Sequence, residues 1–197
     1  MSTPDLRFAA RRLFTEARTC SRWLPQVVPQ QLLRELYALA KLGPTSMNCQ
    51  PMRLQFVVSP EANARLAACV NAGNVAKVQG APVVAIVGQD MAFAERLPVL
   101  FVHKTDAMSY FDGMPDVVAS TALRNSSLQG GYLILAARLL GLDCGPMSGF
   151  DADRVDAEFW AGTTVRTNFL CNLGYGDRSQ DKLRPPRLDF DDVCQFV

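Results

Sequence analysis

Four groups of polar residues in this chain are of the right type and spacing to do chemistry. Arg18, Thr19, Cys20 and Arg22 crowd two cations and two small donors into five positions after a helical stretch. Thr45, Ser46, Asn48 and Gln50 lie in a loop bounded by Pro44 and Pro51. Asn74 and Lys77 stand just before an apolar run, and Arg184 and Arg187 flank two prolines in the tail. An arginine fork matches two phosphate oxygens at once, and small amides and hydroxyls suit the edges of a heterocycle or sugar. The combination reads as a site for a phosphorylated cofactor. It is not a dinucleotide site of the usual kind, because neither G-x-G-x-x-G nor G-x-x-x-x-G-K-[ST] occurs. Taken singly, each group has an ordinary explanation: a solvated helix end, local turn hydrogen bonds, a surface cation, tail charges.

Other chemistries are poorly supplied. His103 is the only histidine and no pair of the six cysteines has C-x-x-C spacing, which argues against zinc. The cysteines, at 20, 49, 69, 144, 171 and 194, are too scattered for a disulfide framework in a chain of 197 residues. Twenty Lys and Arg against nineteen Asp and Glu leave a net charge of +1, without the basic excess that a nucleic-acid partner requires. Met1 to Arg12 is polar and basic with no apolar core, and no apolar run is long enough to span a bilayer. A cytoplasmic protein with no membrane partner is the expectation.

The elements that position these residues can be read from their periodicity. Phe8–Ala17 reads as a helix, and a second helix starts at Pro29 and is stopped by Gly43-Pro44, with Leu32, Leu33, Leu36, Tyr37, Leu39 and Ala40 on its apolar face. Leu54–Val58 reads as a strand, and residues near Glu61 to Asn71 as a helix. Pro82–Gly88 has the unbroken, β-branched character of a strand buried on both faces. Residues 90–115 show no period and read as a lid or binding loop. The longest helix spans Asp116–Leu140 and ends at Gly141; Gly130-Gly131 inside it suggests close approach of another helix. A turn over Cys144–Gly149, a short helix over Asp151–Trp160, a strand over Thr167–Tyr175 and an apolar tail piece over Phe190–Val197 complete the chain. With 49% apolar residues it can bury a core unaided, and its mixture of helices and buried strands indicates an α+β or α/β three-layer domain covering residues 1–197.

The order of these pieces resembles the flavin-dependent nitroreductase family. The resemblance rests on Arg18-x-x-x-Arg22, on Gly43-Pro44-Thr45-Ser46-Met47-Asn48-Cys49-Gln50-Pro51, on Asn74-x-x-Lys77, on Gly141–Phe150 and on Leu173-Gly174-Tyr175-Gly176 followed by a tail arginine. It runs from about Leu13 to Phe196. Leu13–Thr19, Arg124-Asn125-Ser126-Ser127 and Gly145–Asp151 are similar to the malonic semialdehyde reductase branch, which acts in bacterial pyrimidine degradation. The resemblance implies an α+β three-layer sandwich, a mostly antiparallel sheet flanked by helices, and a homodimer with FMN in a cleft formed by both chains. It implies reduction of malonic semialdehyde to 3-hydroxypropanoate by NADPH or NADH, in a ping-pong cycle through flavin N5. The alternatives are a broad nitro or quinone reductase and a flavin-binding protein without turnover.

The same resemblance assigns residues. Arg18, Cys20 and Arg184 match positions that hold the FMN phosphate, with Thr19 between the first two. Arg22 and Lys77 match cations beside the pyrimidine edge of the flavin, and Asn74 faces that edge. Pro44, Thr45, Ser46 and Asn48 match the loop on the partner-chain side of the cofactor. Pro146, Met147, Ser148 and Gly149 match a turn whose backbone donors face flavin N5 and O4. The wider family often has serine at the place of Cys20 and glutamate at the place of Ser148. No acid–base side chain is assigned, since the flavin carries the hydride.

Overall fold

Val83, Val84, Ala85, Ile86 and Val87 are all buried, so the strand that carries them needs covering on both faces. The computed structural model, which describes residues 4–179 and 183–197, provides this cover. The strand, β2 (Val83–Asp90), pairs with β1 (Met52–Val57) on one side and β4 (Val165–Gly174) on the other, and β4 pairs with β3 (Asp143–Met147). The sheet order is β1-β2-β4-β3, and its three strand pairings are antiparallel, as expected.

Alternation along β2 builds the layers. Val83, Ala85 and Val87 pack with Leu33, Leu36 and Ala40 of α2 (Gln30–Ala40) and with Leu133, Ala136 and Ala137 of α6 (Pro115–Leu139). Val84 and Ile86 face the other way, onto α3 (Pro60–Ala67), α4 (Ala72–Gly80) and α7 (Ala152–Phe159) through Leu66, Val78 and Val155. Each fully buried Leu, Ile or Val contributes about 1.5–3 kcal/mol, so these two cores dominate the stability. The result is the expected three-layer α+β sandwich. Among the described residues no helix is long and apolar enough to cross a membrane.

Several local expectations are corrected. The first helix is α1 (Pro4–Ala10), continued by a wider π turn over Arg11–Thr15. The helix expected near 61–71 is shorter, ending at Ala67 as α3, and a further helix, α4, follows Asn71 where none was expected. Cys144–Met147, expected as part of a turn, belongs to strand β3; Gly145 and Pro146 are tolerated there because β3 is an edge strand. Gly130 answers a close approach not by another helix but by Phe169 of β4, whose ring would lie 2.5 Å from an added Cβ, while Gly131 has nothing within 4 Å. Gly141 does end α6, at φ +92°, with the Leu142 N–H donating to the Ala137 carbonyl at 2.9 Å.

Residues 90–115 are not an open loop. They form short 3₁₀ turns, Phe93–Arg96 and Ala107–Phe111, around α5 (Leu97–Leu100). Phe93, Leu97, Ala107 and Phe111 make a third apolar cluster with Cys49 and Ala122, the Phe93 and Phe111 rings meeting edge-on at 4.9 Å. The final helix, α8 (Phe190–Val193), is a single turn in an exposed tail.

Candidate functional site

The free edge of β3 gathers most of the sequence-assigned residues. The segment after the π turn runs along it: Thr19 bridges to Cys144, the Cys20 N–H donates to the Cys144 carbonyl at 2.8 Å, and Trp23 bridges to Gly176. This approach requires glycine at 145, where an added Cβ would fall closer than 3.0 Å to the Cys20 carbonyl oxygen. The Cys20 thiol donates to the Arg22 carbonyl at 2.8 Å. Its N–H and thiol are thus both engaged within the chain, which fixes the segment against β3.

Helix α4 closes the other side. The Asn71 N–H and the Asn74 Nδ2 both donate to the Gly149 carbonyl, at 3.0 and 2.9 Å, and the Lys77 Nζ donates to the Asn74 Oδ1 at 2.9 Å. A Cβ at Gly149 would sit 2.5 Å from the Asn74 Nδ2, so a larger residue there would displace the Asn74 amide from the Gly149 carbonyl. Buried Asn172 of β4 donates to the Lys77 carbonyl at 2.8 Å and ties α4 to the sheet, while its own Oδ1 has no partner. Asn74 and Lys77 therefore meet the 146–149 turn at the C-terminal end of β3, while the Arg22 carbonyl accepts from the Asp177 N–H.

Arg18 and Arg184 converge on the same carbonyls. Arg18 donates to the carbonyls of Thr15 (3.2 Å) and Ala17 (2.9 Å), and Arg184 to those of Phe14 (2.8 Å), Thr15 (3.2 Å) and Ala17 (2.7 Å). These carbonyls are the unsatisfied end of the π turn, a natural place for cations. Arg138 of α6 joins them by donating to the Leu13 carbonyl at 2.9 Å. Among the described residues no carboxylate pairs with Arg18, Arg138 or Arg184. Burial, and then Arg18, Arg187 and Arg138, pull the Arg184 pKa below its ordinary value. Guanidinium groups this close, without acidic partners, suit a doubly charged anion such as a phosphate monoester. Arg187 itself donates to the carbonyls of Pro185 and Pro186.

The Pro44–Asn48 loop is not brought to this group within the chain. Its hydrogen bonds run elsewhere: the Ser46 N–H to the Asn125 Oδ1 of α6 at 2.8 Å, and the Asn48 Nδ2 to the Leu100 carbonyl at 2.9 Å. Met47, Asn48 and Gln50 have φ of 51°, 51° and 40°, left-handed values that cost a side-chain-bearing residue about 1–2 kcal/mol. Such strain concentrates at sites where the backbone has work to do. The loop also borders a groove of about 880 Å³ between α2, β1 and α5, lined in part by Arg34, Arg53, Arg96, Tyr37 and Phe56. This groove holds none of the assigned cofactor contacts. His103 is exposed and packs edge-on to Phe101 at 6.2 Å, away from these groups.

Sequence reasoning missed Arg138, Asn125 and Gln129. Asn125 and Gln129 are carboxamides one turn apart, which shows that they share a helix face but not what they bind.

The fold is an α+β sandwich with a cluster of arginines beside one sheet edge, and comparison with known proteins places it in a family. Residues 15–175 match the family model described as Nitroreductase family, and the chain belongs to that family. A protein of Burkholderia lata, provisionally named NADH dehydrogenase/NAD(P)H nitroreductase, is 56% identical over 188 residues, which cover 95% of this chain and 96% of that one. A nitroreductase-type structure from Bacillus subtilis superimposes with TM-score 0.87 at 21% identity, over 97% of this chain and 100% of its own. Another from Exiguobacterium sibiricum, in complex with FMN, gives TM-score 0.85 at 20% identity, over 100% of this chain and 99% of its own.

Proposed function

We propose that this chain is an FMN-dependent NAD(P)H oxidoreductase, with residues 1–197 as one FMN-binding domain, acting as a cytoplasmic homodimer on a small acceptor. The observation that carries the reading is the convergence of Arg18 and Arg184 on shared carbonyls, with no carboxylate paired to either among the described residues. The name of the Burkholderia relative supports the NAD(P)H partner, and the FMN complex of the Exiguobacterium structure supports the cofactor.

Arg18 and Arg184 would hold the phosphate, with Thr19 beside them and Cys20 fixing the segment. Arg22 and Lys77 would supply positive charge at the pyrimidine edge, where negative charge develops during turnover, and fixed charge of this kind lowers the barrier without reorganisation. Asn74 holds Lys77 and the Gly149 carbonyl in register, and N–H groups of residues 147–149 would orient the opposite edge of the ring; Pro146 has none to offer. When bound, FMN supplies the hydride-transfer centre between NAD(P)H and the acceptor. Pro44, Thr45, Ser46 and Asn48 would come from the second chain, which accounts for their separation from the arginine cluster. The dimer has further support. Leu123, Leu128 and Tyr132 are exposed on α6, and Leu188, Phe190, Phe196 and Val197 are exposed in a tail whose Asp189, Asp191 and Asp192 complement the arginine-lined groove along β1.

We take malonic semialdehyde as the acceptor. The balance is NADPH, a proton and the aldehyde giving NADP⁺ and 3-hydroxypropanoate. This choice rests on the similarity of Arg124–Ser127 and Gly145–Asp151 to that branch. A second reading, a broad nitro or quinone reductase, is favoured by the names of the relatives. NADPH oxidation measured with malonic semialdehyde, a quinone and a nitroarene side by side separates them. Turnover confined to the latter two would move the assignment to the second reading, and no turnover with any would leave a flavin-binding protein.

A further inference from the structure

We propose that Asn125, assisted by Gln129, is a positioning residue that clamps the Pro44–Asn48 loop into its cofactor-facing shape. The inference rests on the reading above, that this loop lines the cofactor site of the second chain. Burying a carboxamide in the middle of a helix is unfavourable unless its polar atoms find partners. Asn125 is 2% exposed and Gln129 3% exposed, and the other buried residues of α6 are Ser126 and the apolar or small Ala122, Gly130, Leu133, Ala136 and Ala137. Each takes one backbone N–H from the far side. The Asn125 Oδ1 accepts from the Ser46 N–H at 2.8 Å, and the Gln129 Oε1 accepts from the Met52 N–H at 3.0 Å.

These two N–H groups bracket the strained stretch. Between them lie Met47, Asn48 and Gln50, the three residues other than glycine whose φ is positive among the described residues. A loop held in such a conformation needs restraint from its surroundings. Residues four apart on a helix share a face, so the two amides act as a two-point grip whose spacing is set by the helix itself. The Asn125 Nδ2 donates to the Thr121 carbonyl at 2.8 Å, which locks the amide so that Oδ1 faces the loop. Next to it, Asn168, the extra residue of a bulge in β4, donates to the hydroxyls of Ser126 and Ser127 at 2.9 and 3.0 Å, fixing this turn of α6 to the sheet. Arg124–Ser127 thus contains a loop-holding residue and its support. Asn125 has no route to cofactor or substrate of its own; it acts through Ser46.

The test is FMN titration of the full-length apoprotein, followed by flavin fluorescence and by the visible absorption band of the complex. Wild type, Asn125→Leu and Asn125→Asp are compared, each also by thermal melting. Asn125→Leu should weaken FMN binding about tenfold and shift the flavin band, because the Ser46 N–H loses its acceptor. Asn125→Asp keeps an oxygen for the Ser46 N–H but loses the donor to the Thr121 carbonyl and buries a carboxyl, so its FMN affinity should fall between those of wild type and Asn125→Leu. If Asn125→Leu does not fold, Asn125→Ser, which withdraws the acceptor but stays polar, should show the same loss. A variant that melts lower yet binds FMN with wild-type affinity and an unshifted band would make Asn125 merely structural and overturn the inference. Wild-type protein that takes up no FMN would instead bring down the functional reading, and this inference with it.

Discussion

Gly145→Ala perturbs the site without touching any group proposed to contact ligand. Gly145 is an ordinary strand residue, so alanine imposes no backbone strain; the difficulty is space. The added Cβ would lie closer than 3.0 Å to the Cys20 carbonyl oxygen, a main-chain atom that cannot swing aside, and 3.4 Å from the Asn172 Cβ. Relief requires the Arg18–Arg22 segment to move off β3 by about 1 Å, which breaks the 2.8 Å bond from the Cys20 N–H to the Cys144 carbonyl. A lost hydrogen bond costs about 1 kcal/mol and overpacking about 1–3 kcal/mol, together about 2–4 kcal/mol. For a chain of this length that lowers Tm by about 4–16 °C. Arg18 moves with the segment, and losing one charge-assisted bond to phosphate weakens FMN binding about tenfold or more. Thermal melting and FMN titration of the variant measure both effects. Gly73→Ala is the control: nothing lies within 4 Å of its added Cβ, and in a helix it should leave Tm unchanged or slightly raised. A Gly145→Ala protein that matches wild type in Tm and FMN affinity would refute the docking of this segment on β3.

Three further outcomes follow. Lys77→Met should slow flavin reduction by NADPH in stopped-flow more than it weakens FMN binding, because the effect of the cation grows as charge develops; equal loss in both would make Lys77 a simple binding residue. Burial alone would lift the Asp90 carboxyl, but the Thr164 hydroxyl, the Ala92 N–H and Arg53 outweigh it and hold it below the usual carboxylate range. With the folded pKa below the unfolded one, this contribution is present above about pH 4 and lost as pH falls, so Asp90→Asn should flatten the acid limb of the stability–pH curve. Burial pushes the Cys49 thiol up to about 11, despite the Thr45 hydroxyl and local N–H groups that lower it. Cys49 should resist iodoacetamide at pH 8.5 in the native protein, and its stabilising contribution should fade as pH rises from about 9 through 11.

The elements that were legible in the sequence are those in which pattern and packing agree. The apolar face of α2, the Gly141 stop of α6 and the unbroken run of β2 each follow from local chemistry alone. Helix α4 was not legible because its sequence, Ala72–Gly80, contains glycines at 73 and 80 and has little amphipathic pattern; it is held by Val78 in the core, by Asn172 and by Gly149. Strand β3 was hidden by Gly145 and Pro146, residues that argue against a strand unless it lies at an edge, and edge position is a property of the whole sheet. The sequence reading placed the site residues in groups, and the structure joins the Arg18–Arg22, Asn74–Lys77 and 146–149 groups at β3. Arg184 reaches Arg18 through carbonyls that only the π turn leaves open. The grip of Asn125 and Gln129 on the loop depends on a contact across about eighty residues of chain, which no local pattern encodes.

The most direct test of the central claim, that the arginine cluster at the end of the π turn holds a flavin phosphate, is a fluorescence titration of the apoprotein with FMN and with riboflavin in parallel. The two ligands share the ring and differ in the phosphate. Two charge-assisted contacts, from Arg18 and Arg184, contribute about 3–6 kcal/mol, so FMN should bind about a hundredfold or more tighter than riboflavin. Equal affinity for the two, or no uptake of either, would contradict the account.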